Sequence, residues 1–214
     1  MNLWFYFNGI EQYKTATSLV VFGAQTFKDA EIVKRMEELE IKIDKLEKGI
    51  HPRETGINDF IFTFLLDTIK ISLFFENYFK AELLINNFCV NKITNDPKFK
   101  TLRKEQFTRP INLEEIHAIS SFRIDGEKKV ITHPSLEKNT IGFTNLISSK
   151  SYTNYYKLDD ELLKFIADLN NKRNELHFLT GLTFNLSREM IANLKLIDNF
   201  VQETVNRYMT GNLN

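Results

Sequence analysis

The chain has 214 residues, 43% of them apolar and 26% charged, with 28 Lys and Arg balanced by 28 Asp and Glu. That composition excludes disorder as the main state, and the charge balance excludes a global positive field that would draw the chain to nucleic acid or to an anionic membrane, so any such binding is local. One sizeable core and a single domain over 1–214 are expected at this length, and 19 Phe and 7 Tyr beside only 4 Pro and 8 Gly point to long helices with bulky cores between them.

The opening MNLWFYFNGI is apolar but has neither the basic start nor the small-residue cleavage site of a secretory signal, so it reads as a packed N-terminal strap. A first helix is expected over about 10–48, bent near Gly23. Within it Ile32, Met36, Leu39, Ile43 and Leu46 recur at heptad spacing on one narrow stripe, with charges on the other faces. Gly49 and Pro52 supply its stop.

A second helix is expected over about 58–91. Ile57, Ile61, Phe64, Thr68, Phe75 and Phe79 share one face, and Asp59, Lys70 and Asn77 share the far one, with apolar flanks that suggest a central helix. Its charged and polar residues make it a poor membrane span. Cys89 is the one cysteine, so no internal disulfide forms; a buried thiol and a reducing, cytoplasmic compartment are expected.

Over about 94–151 the helical period is lost. SFRIDGEKKVITH reads as two strands joined at Asp125-Gly126, with a short helix around Leu113 to Ser120, so this stretch is taken as a hairpin-containing insertion. Regular helix resumes over about 158–179, opened by Asp159, Asp160 and Glu161, which suit the helix dipole. A last helix over about 186–208 carries Met190, Leu194, Ile197, Val201 and Val205 at core spacing. The fold class is therefore all-α, with four to five helices in a bundle and the insertion between the second and third.

The chemistry lies in Arg173-Asn174-Glu175-Leu176-His177. On the third long helix Leu162, Ile166, Leu169 and Leu176 define the buried stripe, and Arg173 falls about 20° and His177 about 60° from Leu162, on or beside that packed face. No carboxylate stands three or four residues from Arg173, whereas Lys172 has Asp168 and Glu175 at those distances and reads as a solvated surface cation. Arg173 must find its anion on another helix, on a second subunit or on a phosphate. One reading is an inter-helix ion pair, with His177 donating to a backbone carbonyl. The other is a phosphate pocket in which Arg173 binds the anion and His177, with a pKa near neutrality, moves the proton of an RNA 2′-hydroxyl without a metal.

The run NKRNELHF, at the end of one helix and followed by one more, resembles the signature of the HEPN superfamily, an Arg followed by a polar residue and then a His. The resemblance covers about 10–92 and 157–210. It implies a helical bundle, a homodimer, and a metal-independent endoribonuclease of toxin–antitoxin or phage-defence type acting on RNA, with a protein partner such as an antitoxin. Arg173, Asn174 and His177 match the motif positions, and the expected products carry a 2′,3′-cyclic phosphate and a 5′-hydroxyl. FFENYFKAELL is similar to the Glu-plus-Lys helix of many members, which makes Glu76 a supporting residue, although Glu76 and Lys80 also suit a surface i,i+4 pair.

Three residues separate Arg173 from His177, where active members have four to six. That spacing implies the alternative within the family, a silent binding or assembly module that holds a partner with the heptad stripe and the hairpin. A third reading is a purely structural bundle. His51, His117 and His133 are scattered without metal-ligand spacing, and no phosphate loop, nucleophile elbow or dinucleotide fingerprint occurs, so no cofactor and no metal are expected. No membrane association is expected either. Arg123, Lys128 and Lys129 with Phe122 could touch RNA, but a solvated hairpin face accounts for them as well.

Overall fold

The computed structural model describes residues 2–5, 10–121, 123–125, 130–133, 136–175 and 186–212. Over them the chain is mostly helical. In order the elements are β1 (Asn2–Phe5), α1 (Ile10–Lys28), α2 (Ile32–Glu47), α3 (Pro52–Thr55), α4 (Ile57–Ile85), β2 (Asn91–Ile93), α5 (Lys100–Glu105), α6 (Leu113–Ile119), β3 (Arg123–Asp125), β4 (Val130–His133), β5 (Leu136–Thr140), α7 (Phe143–Ser148), α8 (Lys150–Thr153), α9 (Asp160–Glu175) and α10 (Arg188–Thr210). Two compact units result: Met1–Leu19 with Glu76–Leu158, and Val20–Phe75 with Asp159–Asn214. α1 and α4 contribute residues to both.

In the second unit the heptad reading of α2 holds: Ile32, Met36, Leu39 and Ile43 are buried. They pack against α10, whose Met190, Leu194, Ile197 and Val201 are buried at the expected spacing. The first helix is not continuous to 48, and its break is not at Gly23. It stops at Lys28, and Glu31 takes a left-handed φ of 47° before α2 begins. Lys70 from α4 donates to the Asp29 carbonyl at 2.7 Å, so a cation from a distant helix satisfies a carbonyl freed by the break. Sequence period registers no such tertiary contact.

α4 stops at Ile85, six residues short of the expected end. Asn87 adopts φ 64°, and in the first unit Gln12 Nε2 donates to Leu84 O at 3.2 Å and to Asn87 Oδ1 at 2.9 Å, which holds the terminus. Residues 91–93, at and just past the expected helix end, form β2. Two further corrections concern which faces are covered. Asn77, expected on the polar side, is buried, whereas Phe62, Leu66 and Ile69 of the same helix are exposed.

The first unit holds both sheets. β3 and β4 pair antiparallel as the expected hairpin, whose connection 126–129 lies outside the described residues, and β1 adds to β4 as a third strand. The N-terminal strap is therefore a sheet strand. β2 pairs with β5. The stretch 94–151 is more helical than expected: besides the anticipated α6, it contains α5, α7 and α8. Cys89, Ile93, Phe99, Leu102, Ile111, Leu113 and Ile116 form one core cluster. In the same unit Phe79 stacks on Tyr156 at 4.1 Å and on Phe143 at 5.7 Å between centroids.

Candidate functional site

The third long helix opens as its acids imply. Asp159 Oδ1 accepts from the Leu162 N–H at 2.6 Å, and Asp160 and Glu161 occupy the first turn of α9. The helix buries Leu162, Ile166 and Leu169 of the predicted stripe, together with the neighbouring Asn170, while Leu176, its fourth member, lies outside the described residues. One turn beyond Leu169 the stripe reaches Arg173, which is half-buried in the last turn; Asn174, on the outer side, is exposed. His177 lies outside the described residues. Lys172, expected to be solvated, is half-buried as well. Cations in a final helical turn are favoured by the helix dipole, which suits both Lys172 and Arg173 to this position.

Glu76 pairs with Lys80 through a 2.7 Å bond, the i,i+4 pair the sequence suggested. It belongs to the first unit, whereas Arg173 and Asn174 belong to the second. The heptad stripe, the proposed partner face of the alternative reading, is buried in the second unit, where α2 packs against α10.

Other features carry little signal along the sequence. In the second unit Asp67, 2% exposed, accepts from Arg35 Nε at 2.7 Å and from Lys70 Nζ at 3.0 Å, while Arg35 also reaches Glu38 at 3.0 Å. Burial lowers the Arg35 pKa, but the bonds to Asp67 and Glu38 outweigh it and hold the guanidinium above its ordinary value. The same unit carries a groove of about 920 Å³ lined by Val21, Phe27, Ile32, Val33, Val205 and Met209.

In the first unit Cys89 is fully buried, its thiol donates to the Asn91 carbonyl at 2.9 Å, and Gln106 Nε2 donates to its sulfur at 3.5 Å. Burial pushes that thiol well above its usual range, against the opposing effect of both hydrogen bonds, so it is a packing residue and not a nucleophile. Arg109 clamps Glu105 and Glu115 nearby. The Arg109 bond holds the Glu115 carboxyl below its ordinary range against the opposing effect of burial.

Among the described residues no group of three or more His, Cys, Asp or Glu is placed to hold a metal ion, and no helix is long and apolar enough to cross a membrane. No family model, curated protein or solved structure matches the chain.

Proposed function

We propose that this chain is a HEPN-like protein that cleaves RNA without a metal, through Arg173 and His177, as a homodimer that brings two α9 ends together. The supporting observation is Arg173 itself: one turn beyond Leu169, the apolar stripe of Leu162, Ile166 and Leu169 is continued by the half-buried Arg173 in the last described turn of α9. In this reading Arg173 neutralises the charge that grows on the non-bridging oxygens of a phosphodiester. His177 takes the proton from the 2′-hydroxyl as its oxygen bonds to phosphorus, and the bond from phosphorus to the 5′-oxygen breaks. A proton returned to the 5′-oxygen leaves a 5′-hydroxyl, with a 2′,3′-cyclic phosphate on the other fragment. Asn174 orients the scissile phosphate, and Glu76 with Lys80 supports the fold. The test is cleavage of a structured RNA in EDTA by wild type, Arg173→Ala and His177→Ala. Cleavage that falls by a hundredfold or more in both variants supports the proposal, in line with the loss of a general base or an anion-stabilising donor; equal activity in all three removes it.

The apolar groove of the second unit favours a second reading, a catalytically silent module that takes an amphipathic helix of a protein partner. Val33 and Met209 line that groove and are 52% and 66% exposed, so a charge at either position disturbs binding without opening the core. Light scattering on the chain co-expressed with the product of its neighbouring gene, with and without Val33→Asp, tests it. A complex lost in the variant, from a chain that cleaves no RNA, supports this reading over the first.

A further inference from the structure

A second cavity, of about 330 Å³, opens in the first unit, and its chemistry is unlike that of the groove. Its walls include Lys92 of β2, Arg103 of α5, Phe107 just beyond α5 and Asn145 of α7, and among the described residues no carboxylate lines it. The side chains of Lys92, Arg103 and Asn145 make no hydrogen bond or ion pair among the described residues. For Arg103 the sequence explains this: the residues three and four away are Phe99, Lys100, Gln106 and Phe107, and the nearby Glu105 is committed to Arg109.

The frame behind these groups is fixed. Gln106, 6% exposed, accepts from the Ile93 N–H at 3.0 Å and donates to the Asn91 carbonyl at 2.8 Å, and its own carbonyl accepts from the Tyr152 hydroxyl at 2.6 Å. β2 and the end of α5 are thereby tied together, which sets the spacing of Lys92 and Arg103. Phe107 stands 58% exposed and lines the cavity beside Lys92 and Arg103. Over 92–104 the chain carries Lys92, Lys98, Lys100, Arg103 and Lys104 against the single acid Asp96, and the Asp96 carboxylate is taken by the Lys98 N–H. In a neutral chain this is the kind of local positive field that nucleic-acid binding requires.

We infer that this cavity binds one nucleotide unit: Lys92 and Arg103 hold its phosphate, Phe107 stacks on its base, and the Asn145 amide reads a base edge. Two cations beside an aromatic ring and an amide form the combination that single-stranded RNA sites use, with charge tracking the backbone and a ring carrying the base. The volume suits one nucleotide rather than a duplex, at the small end of the range for ligand pockets. The inference rests on the RNA reading above only for the choice of nucleic acid.

The experiment is fluorescence anisotropy with a labelled octauridylate, in a His177→Ala background so that cleavage does not intervene, over a series of salt concentrations. Lys92→Ala and Arg103→Ala are expected to weaken binding about five- to tenfold each and to lower the salt slope by about 0.7 each, as loss of one phosphate contact to a single strand requires. Phe107→Ala is expected to weaken binding at least fivefold with the salt slope unchanged. Lys48→Ala, an exposed cation of the second unit, is the control. Circular dichroism melts check that each variant is folded. Uridine monophosphate as competitor separates the two sources of the same chemistry: weak competition assigns the site to an RNA strand, and competition equal to that of the octamer assigns it to a free nucleotide. Unchanged affinity in the Lys92→Ala/Arg103→Ala double variant, or an equal loss in the Lys48→Ala control, overturns the inference. Failure there beside His177-dependent cleavage leaves the proposed function standing; binding through the cavity by a chain that cleaves nothing leaves the cavity and removes the ribonuclease.

Discussion

Asp67 gives the sharpest test of how the second unit is held. Its carboxylate is 2% exposed and accepts from Arg35 at 2.7 Å and Lys70 at 3.0 Å. At these separations and an effective dielectric of about 20, each pair is worth roughly 6 kcal/mol of gross attraction. Desolvation offsets most of that, so the whole cluster is worth little over a well-packed apolar substitute. Removing one member is different, because Asp67→Ala leaves the Arg35 side chain, 15% exposed, beside Glu38 alone. The usual cost of stranding such a charge is about 3–5 kcal/mol. Arg35 keeps its 3.0 Å bond to Glu38, and Lys70 keeps the Asp29 carbonyl at 2.7 Å. These remaining partners bring the expectation down to about 2–4 kcal/mol. Urea unfolding followed by circular dichroism reads this as a fall in midpoint of about 1–2 M at constant slope. The Arg35→Met/Asp67→Leu double variant should recover stability to within about 1 kcal/mol of wild type. An Asp67→Ala cost below about 1 kcal/mol, or a double variant less stable than the single, refutes the reasoning.

Two tyrosines of the first unit should respond differently to loss of a hydroxyl. Tyr152→Phe removes a buried bond to the Gln106 carbonyl and should cost about 1–2 kcal/mol. The Tyr156 hydroxyl is buried without a hydrogen-bond partner among the described residues, so Tyr156→Phe should be neutral or stabilising by about 1 kcal/mol in the same urea titration. Glu115 supplies a pH signature. Its folded pKa is depressed by Arg109, so its contribution is fully present above the ordinary carboxylate pKa and is lost as pH falls through the depressed folded value. Glu115→Gln should therefore flatten the decline of the thermal midpoint in acid while remaining less stable than wild type near neutrality; an unchanged acid profile counts against the Arg109 clamp.

The parts of the fold that depend on local period were readable from residues. The stripe Ile32, Met36, Leu39 and Ile43, the Leu162, Ile166 and Leu169 face, and the antiparallel β3–β4 pair all appear where spacing put them. What escaped depends on distant partners. The break before α2 is held by Lys70, the end of α4 by Gln12, and the pairing of β2 with β5 joins residues more than forty positions apart. The site was legible only as far as its helix: the half-buried place of Arg173 follows from its angle to Leu162, and His177 lies beyond the described residues. The cavity of Lys92, Arg103, Phe107 and Asn145 gave no warning, because its walls come from three separate segments and none matches a motif by itself.

The chemistry of the cut ends is the most direct measurement. If Arg173 and His177 act on a 2′-hydroxyl, mass spectrometry of RNA cleaved in EDTA finds a 2′,3′-cyclic phosphate on every upstream fragment and a 5′-hydroxyl on every downstream one. Fragments ending in a 3′-hydroxyl with a 5′-phosphate, or RNA left whole by the wild-type chain, contradict the account.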